Sequence, residues 1–214
     1  MLNKILRYCI KKSERSSFKE FIANKASFYQ YKEYISLHTN IPALHVVKQN
    51  NVHQYREKYG FKVLIETGTY LGDMVEAQRD YFDRIFSIEL GETLYRDAVE
   101  RFKDFPHVEI LLGDSGIVLG ALLASKIDQP ALFWLDGHYS SGITAKGIKD
   151  TPIMEELAII LQSPLNHGIL IDDARMFTGE EDYPSLDELS AFITSRDPKR
   201  KITVADDIIR VFRS

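Results

Sequence analysis

Carboxylates stand where apolar runs stop in this chain: Glu66 after V-L-I, Glu89 after F-S-I, Asp114 after L-L-G, Asp136 after F-W-L, and the pair Asp172-Asp173 after I-L-I. If those runs are strands of one sheet, these acids arrive together at its carboxyl edge, where open α/β proteins bind their ligands. The first acid opens E-T-G-T-Y-L-G, Glu66 to Gly72. Glycines at Gly68 and Gly72 make this a tight turn that a ligand can approach closely, and the N–H groups of the following helix point to the same spot. Thr67 and Thr69 flank the first glycine. Asp136, Asp172 and Asp173 converge as an all-oxygen donor set, suited to a hard divalent cation such as Mg²⁺. Without a cation their mutual repulsion is costly. The plain alternatives are helix caps for the single acids and, for Asp172-Asp173, a loop that caps a helix or pairs with Arg175.

The elements that must position these residues follow from the pattern. The apolar runs are continuous rather than alternating, as in strands covered by helices on both faces. Strands are predicted near 62–67, 84–90, 108–112, 131–136 and 167–172, and helices near 72–82, 92–104, 115–126 and 152–162. This is a doubly wound α/β arrangement. The last stretch breaks the rhythm: Ile202–Ala205 and Ile208–Phe212 flank Asp206-Asp207 with no room for a crossover helix, so they form a terminal antiparallel hairpin. His138 to Pro152 is a glycine-punctuated loop at the carboxyl edge, read as an active-site flap with Tyr139, Ser140, Ser141 and Thr144 as acceptor contacts. Thr151-Pro152 with Glu155 marks a helix start. Arg175, Met176 and T-G-E-E-D-Y-P-S form the opposite wall.

With 214 residues, 44% hydrophobic and 27% charged, the chain reads as one globular domain with an added terminal segment. A net charge of -4 gives no general reason to expect a nucleic-acid partner, and no apolar run reaches membrane-spanning length. Cys9 is the single cysteine. A disulfide framework and a Cys-rich metal site are excluded, and a reducing, cytoplasmic setting is expected. Between Met1 and Asn40 eight Lys and Arg stand against three Glu, and Leu2, Ile5, Leu6, Cys9 and Ile10 fit one helical face. Residues 1–55 are therefore read as an N-terminal helical appendage or lid, and 56–214 as the ligand-binding domain. The appendage could also pack against a second copy in a homodimer.

From about Phe61 to Ser214 the chain resembles the class I S-adenosylmethionine-dependent methyltransferases. Their Rossmann-like, seven-stranded sheet also ends in an antiparallel strand. E-T-G-T-Y-L-G looks like the family's glycine-rich first motif, with Glu66, Gly68 and Gly72 at the matching positions. The resemblance implies that Glu89 binds both ribose hydroxyls, that Asp114 and Ser115 contact the adenine, and that Asp136 lies beside the methionine part. A carboxylate suits the ribose because it accepts two hydrogen bonds at once. The pattern is similar to the metal triad of catechol-type O-methyltransferases, and closest to the macrolide and aminocoumarin sugar O-methyltransferases.

What the resemblance implies is S-adenosylmethionine-dependent, Mg²⁺-assisted methylation of a hydroxyl on a sugar or other polyhydroxylated small molecule. Methyl transfer is an in-line displacement that depends on holding acceptor and sulfonium opposite each other. His138 is the first candidate for the base, with orientation of Asp136 as its alternative role, and Lys146 is the second. The competing expectations are a metal-independent methyltransferase acting on another acceptor and a non-catalytic nucleotide-binding protein of the same fold.

Overall fold

The structure is a computed structural model that describes residues 42–137, 151–180 and 182–214. The helical faces expected before residue 41 and the flap from His138 to Asp150 lie outside the described residues. In chain order the elements are α1 His45–Tyr59, β1 Val63–Thr67, α2 Asp73–Gln78, β2 Arg84–Glu89, α3 Glu92–Phe102, β3 Val108–Leu112, α4 Ser115–Lys126, β4 Ala131–Leu135, α5 Ile153–Gln162, β5 Gly168–Ile171, a 3₁₀ turn Ala174–Met176, α6 Leu186–Arg196, β6 Arg200–Ala205 and β7 Ile208–Arg213.

All seven strands form one sheet in the order β3-β2-β1-β4-β5-β7-β6. β1 pairs in parallel with both β2 and β4, so the chain reverses its winding direction between those two strands. β7 is antiparallel to both β5 and β6. The predicted hairpin is therefore present, and β7 alone runs against the rest. Its two-residue turn puts Asp206 and Asp207 at φ 56° and 59°. That is the primed geometry whose twist matches the flanking strands, and Asp is among the side chains that tolerate it.

β1, β4 and β5 are buried along their whole lengths. One face packs Val52, Met74, Val75, Ala98 and Phe102 from α1, α2 and α3. The other packs Leu119, Leu122, Leu157, Ile160, Leu189 and Ile193 from α4, α5 and α6. Both faces are dry, which is why the strands read as unbroken apolar runs.

Two helices stood outside the strand-and-helix reading. The boundary expected near residue 55 falls inside α1, whose Val46, Val47 and Val52 are buried. Gly60, at φ 73°, ends α1 with its N–H on the Arg56 carbonyl at 2.8 Å, a left-handed cap that glycine takes without strain. α6 begins with a capping box: Ser185 Oγ accepts from the Glu188 N–H at 3.2 Å, and Glu188 accepts from the Ser185 N–H at 2.8 Å.

Candidate active site

Alternation along the strands decides which side chains meet at the carboxyl edge. On β1, Leu64 faces the α1–α3 side and Ile65 the other; the same holds for Trp134 and Phe133 on β4, and Leu170 and Ile169 on β5. Continuing with a period of two places Glu66, Asp136 and Asp172 on the α1–α3 side of three adjacent strands, and Thr67 on the α4–α6 side.

The glycine turn is held from below. Glu66 is 2% exposed and accepts a short hydrogen bond from Ser87 Oγ, which in turn lies 2.6 Å from Thr69 Oγ1. Burial pushes the Glu66 carboxyl well above the usual range; the Ser87 bond opposes this, while the charges of Asp136 and Glu89 add to it. Glu66 is thus a buried strut beneath the turn. Gly68 has φ 83°, and a Cβ there would lie 2.5 Å from the Asp136 carbonyl oxygen, so β1 and β4 approach as closely as they do because this residue has no side chain. Gly72, at φ 81°, opens α2.

Glu89 ends β2 with each carboxylate oxygen on a backbone donor, the Tyr70 N–H and the Gly91 N–H, both at 2.8 Å. Each oxygen keeps a second lone pair. Around it, Tyr70, Leu71, Leu90, Leu112 and Ile117 are all large apolar side chains more than a third exposed. They follow β1 and β2, end β3 and open α4. A cluster of this kind at a strand edge marks a binding surface.

Asp114 caps α4 by accepting from the Gly116 N–H at 2.8 Å, the plain alternative for this residue. Ser115 Oγ donates to Glu156 Oε1 at 2.5 Å. Glu156, on α5, is 1% exposed, and burial raises its carboxyl to about 7 against the bond from Ser115. It joins the start of α4 to the start of α5. Beside it, Asp136, Gly137, Thr151, Asp172, Phe177 and Tyr183 border a cleft with about 250 Å³ of empty space open to solvent.

The three acids expected to hold a metal do come together, but α1 brings a cation of its own. Lys48 Nζ makes a short bond to Asp172 Oδ2 and lies 3.4 Å from Asp173 Oδ1. Asp173 takes a left-handed backbone (φ 53°) and binds Arg175 at 2.7 Å; Arg175 also makes a short bond to Asp207 in the hairpin turn. Burial and the charge of Asp136 push Asp172 well above the usual carboxylate range against the pull of Lys48. Burial works against the charge of Lys48, yet Asp172, Asp136 and Asp173 hold its pKa well above the ordinary value. Among the described residues no group of three His, Cys, Asp or Glu is arranged to hold a metal ion. His138 and Lys146 lie outside the described residues.

Sequence reasoning missed Lys48 and Glu156. Glu156 follows Glu155 in a helix start, where an acid reads as ordinary first-turn charge. Lys48 lies in a stretch whose apolar residues give no clear helical face, and Asn50 and Asn51 are buried with its valines.

No protein-family model and no curated protein sequence matches the chain. Solved structures do. An O-methyltransferase from Bacillus cereus, solved with S-adenosylhomocysteine, matches over 87% of this chain and 88% of its own, with a TM-score of 0.55 at 13% identity. TomG from Streptomyces achromogenes, an O-methyltransferase of tomaymycin synthesis solved with S-adenosylmethionine, matches over 80% and 82%, at 0.54 and 14%. The 23S rRNA methyltransferase ErmE matches over 81% and 70%, at 0.51 and 15%. The chain has the class I S-adenosylmethionine-dependent methyltransferase fold, with that fold's strand order and terminal antiparallel strand. The acceptors of these similar structures range from small molecules to ribosomal RNA, and fold alone does not choose among them.

Proposed function

We propose that the chain transfers a methyl group from S-adenosylmethionine to a hydroxyl of a small molecule, a sugar or another polyhydroxylated compound. The observation that carries the reading is Glu89, a carboxylate fixed by two backbone N–H groups at the mouth of a glycine turn and ringed by exposed apolar side chains. The residues present fit the cofactor. Glu89 would accept the ribose hydroxyls, Leu90, Leu112 and Ile117 would cover the adenine, and Asp114 would offer the adenine amino group the oxygen not spent on its cap. Thr69 and the Gly68 turn would lie along the methionine part, beside Asp136. S-adenosylmethionine, when bound, supplies a methyl group on a positively charged sulfur. The tasks left to the chain are to hold an acceptor oxygen in line with that methyl, to exclude water and to take the acceptor's proton. His138 and Lys146 remain the proposed bases. The donor set does not fit Mg²⁺, because Lys48 and Arg175 already engage Asp172 and Asp173. No step is assigned to a metal.

Calorimetric titration with S-adenosylhomocysteine tests the cofactor site. Micromolar binding is expected, weakened at least about 100-fold in Glu89→Ala through loss of hydrogen bonds to a charged acceptor. Absence of heat from folded protein overturns the reading.

A further inference from the structure

The acidic edge carries Asp136, Asp172, Asp173 and Asp207 on three neighbouring segments, and among the described residues two cationic side chains bridge pairs of them. Arg175 joins Asp173 to Asp207. Lys48 joins Asp172 to Asp173. We propose that the Lys48 ammonium is the resident cation of this edge, standing where the carboxylates would otherwise demand a divalent metal.

Burial, anchoring and number of donors support this. The side chains of Lys48, Asp172 and Asp173 are 14%, 1% and 9% exposed, so water does little to screen the acids and a cation of the chain must do so. The ammonium is also held in place by its helix: Asn51 accepts from Arg210 of β7 at 2.6 Å, and the Gln49 carbonyl accepts from Gln78 of α2 at 2.8 Å. These bonds fix α1 against both the hairpin and α2, so Lys48 is delivered to the acids by packing rather than by a free surface arm. A metal entering here would meet a positive charge already bonded to the oxygen it needs.

The two kinds of cation do different work. A divalent metal with open positions can grip two adjacent oxygens of a substrate, whereas an ammonium has three N–H donors and no coordination vacancy. Among the described residues Asp172 and Asp173 use two of those donors, leaving one for a single acceptor oxygen. On the further assumption that the edge serves the proposed methyl transfer, the acceptor is held through one hydroxyl and need not be a vicinal diol or catechol.

The test is a set of thermal melts without S-adenosylmethionine, so that its outcome is independent of the cofactor reading. Wild type, Lys48→Met and Lys48→Arg are each melted with a chelator, with MgCl₂ and with MnCl₂ at matched ionic strength. Wild type and Lys48→Arg are expected to melt at the same temperature in all three. Lys48→Met frees Asp172 and removes one of the two cations on Asp173, and is expected to gain a metal-dependent rise of roughly 5 °C at a metal concentration about a hundredfold above its dissociation constant. A folded Lys48→Met that gains no such rise overturns the proposal. Should that variant fail to fold, titration of MnCl₂ into wild type decides: no binding upholds the proposal, and binding abolished by Asp172→Asn overturns it.

Discussion

The two ends of the sheet each bury an Asp among cations, and the chain treats them in opposite ways. At the amino edge Asp197 Oδ2 accepts from Arg200 at 2.9 Å and from Arg213 at 2.6 Å, and Arg200 reaches on to the His167 carbonyl at 2.9 Å. Burial works against the Asp197 charge, but the bond from Arg213 and the charges of Arg213 and Arg200 outweigh it and hold the carboxyl below its ordinary range. At the carboxyl edge Asp172 has one cation, Lys48, and two neighbouring carboxylates, Asp136 and Asp173; its Oδ1 has no hydrogen-bond partner among the described residues, and its pKa goes up. An acid whose bonds are complete clamps the fold. An acid left incomplete at a ligand edge stores an interaction that the fold itself does not use.

The contrast can be broken most sharply at the amino edge. Asp197→Asn leaves Arg200, 5% exposed, with no full countercharge, and is expected to cost about 3–5 kcal/mol in urea unfolding with S-adenosylhomocysteine affinity unchanged in the protein that remains folded. Next comes pH. His167 accepts from the Ala131 N–H at 3.0 Å, and burial together with the charge of Arg200 lowers its pKa to about 4. The unfolded chain therefore binds this proton first as pH falls. The stabilisation is complete above about 6.5 and disappears as pH drops towards 4, a loss of about 3 kcal/mol. Urea unfolding at pH 7 and at pH 4.5 measures it, and His167→Gln should flatten the slope. The smallest effect is expected at the carboxyl edge: Asp172→Asn removes a charge that burial already opposes, and should change stability by about 1 kcal/mol or less. A loss as large as that of Asp197→Asn would erase the distinction between the two ends.

Most of the scaffold could be read from the sequence because burial on both faces makes parallel strands continuous. β3 and α4 were expected at 108–112 and 115–126 and stand at Val108–Leu112 and Ser115–Lys126. The acids could be read because each ends such a run. What could not be read were contacts across the fold. Nothing local to Lys48 announces that it lies against Asp172, 124 positions away. The cap that Asp114 makes on the Gly116 N–H is local, and the sequence did offer it as the alternative to a ligand contact. α6 left a signal that was passed over, the Ser185-x-x-Glu188 spacing of its cap.

The place of β7 also bears on the acidic edge. This strand, the last of the seven in chain order, is inserted between β5 and β6, and among the described residues β6 pairs with β7 alone. β6 therefore joins the sheet through β7, and the hairpin with its turn at Asp206-Asp207 is seated against β5 as one ribbon. That seating carries Asp207 to Arg175 and Arg210 to Asn51 on α1. The acidic edge is therefore completed by the β6–β7 hairpin, which supplies one of its carboxylates and an anchor for the helix that carries Lys48.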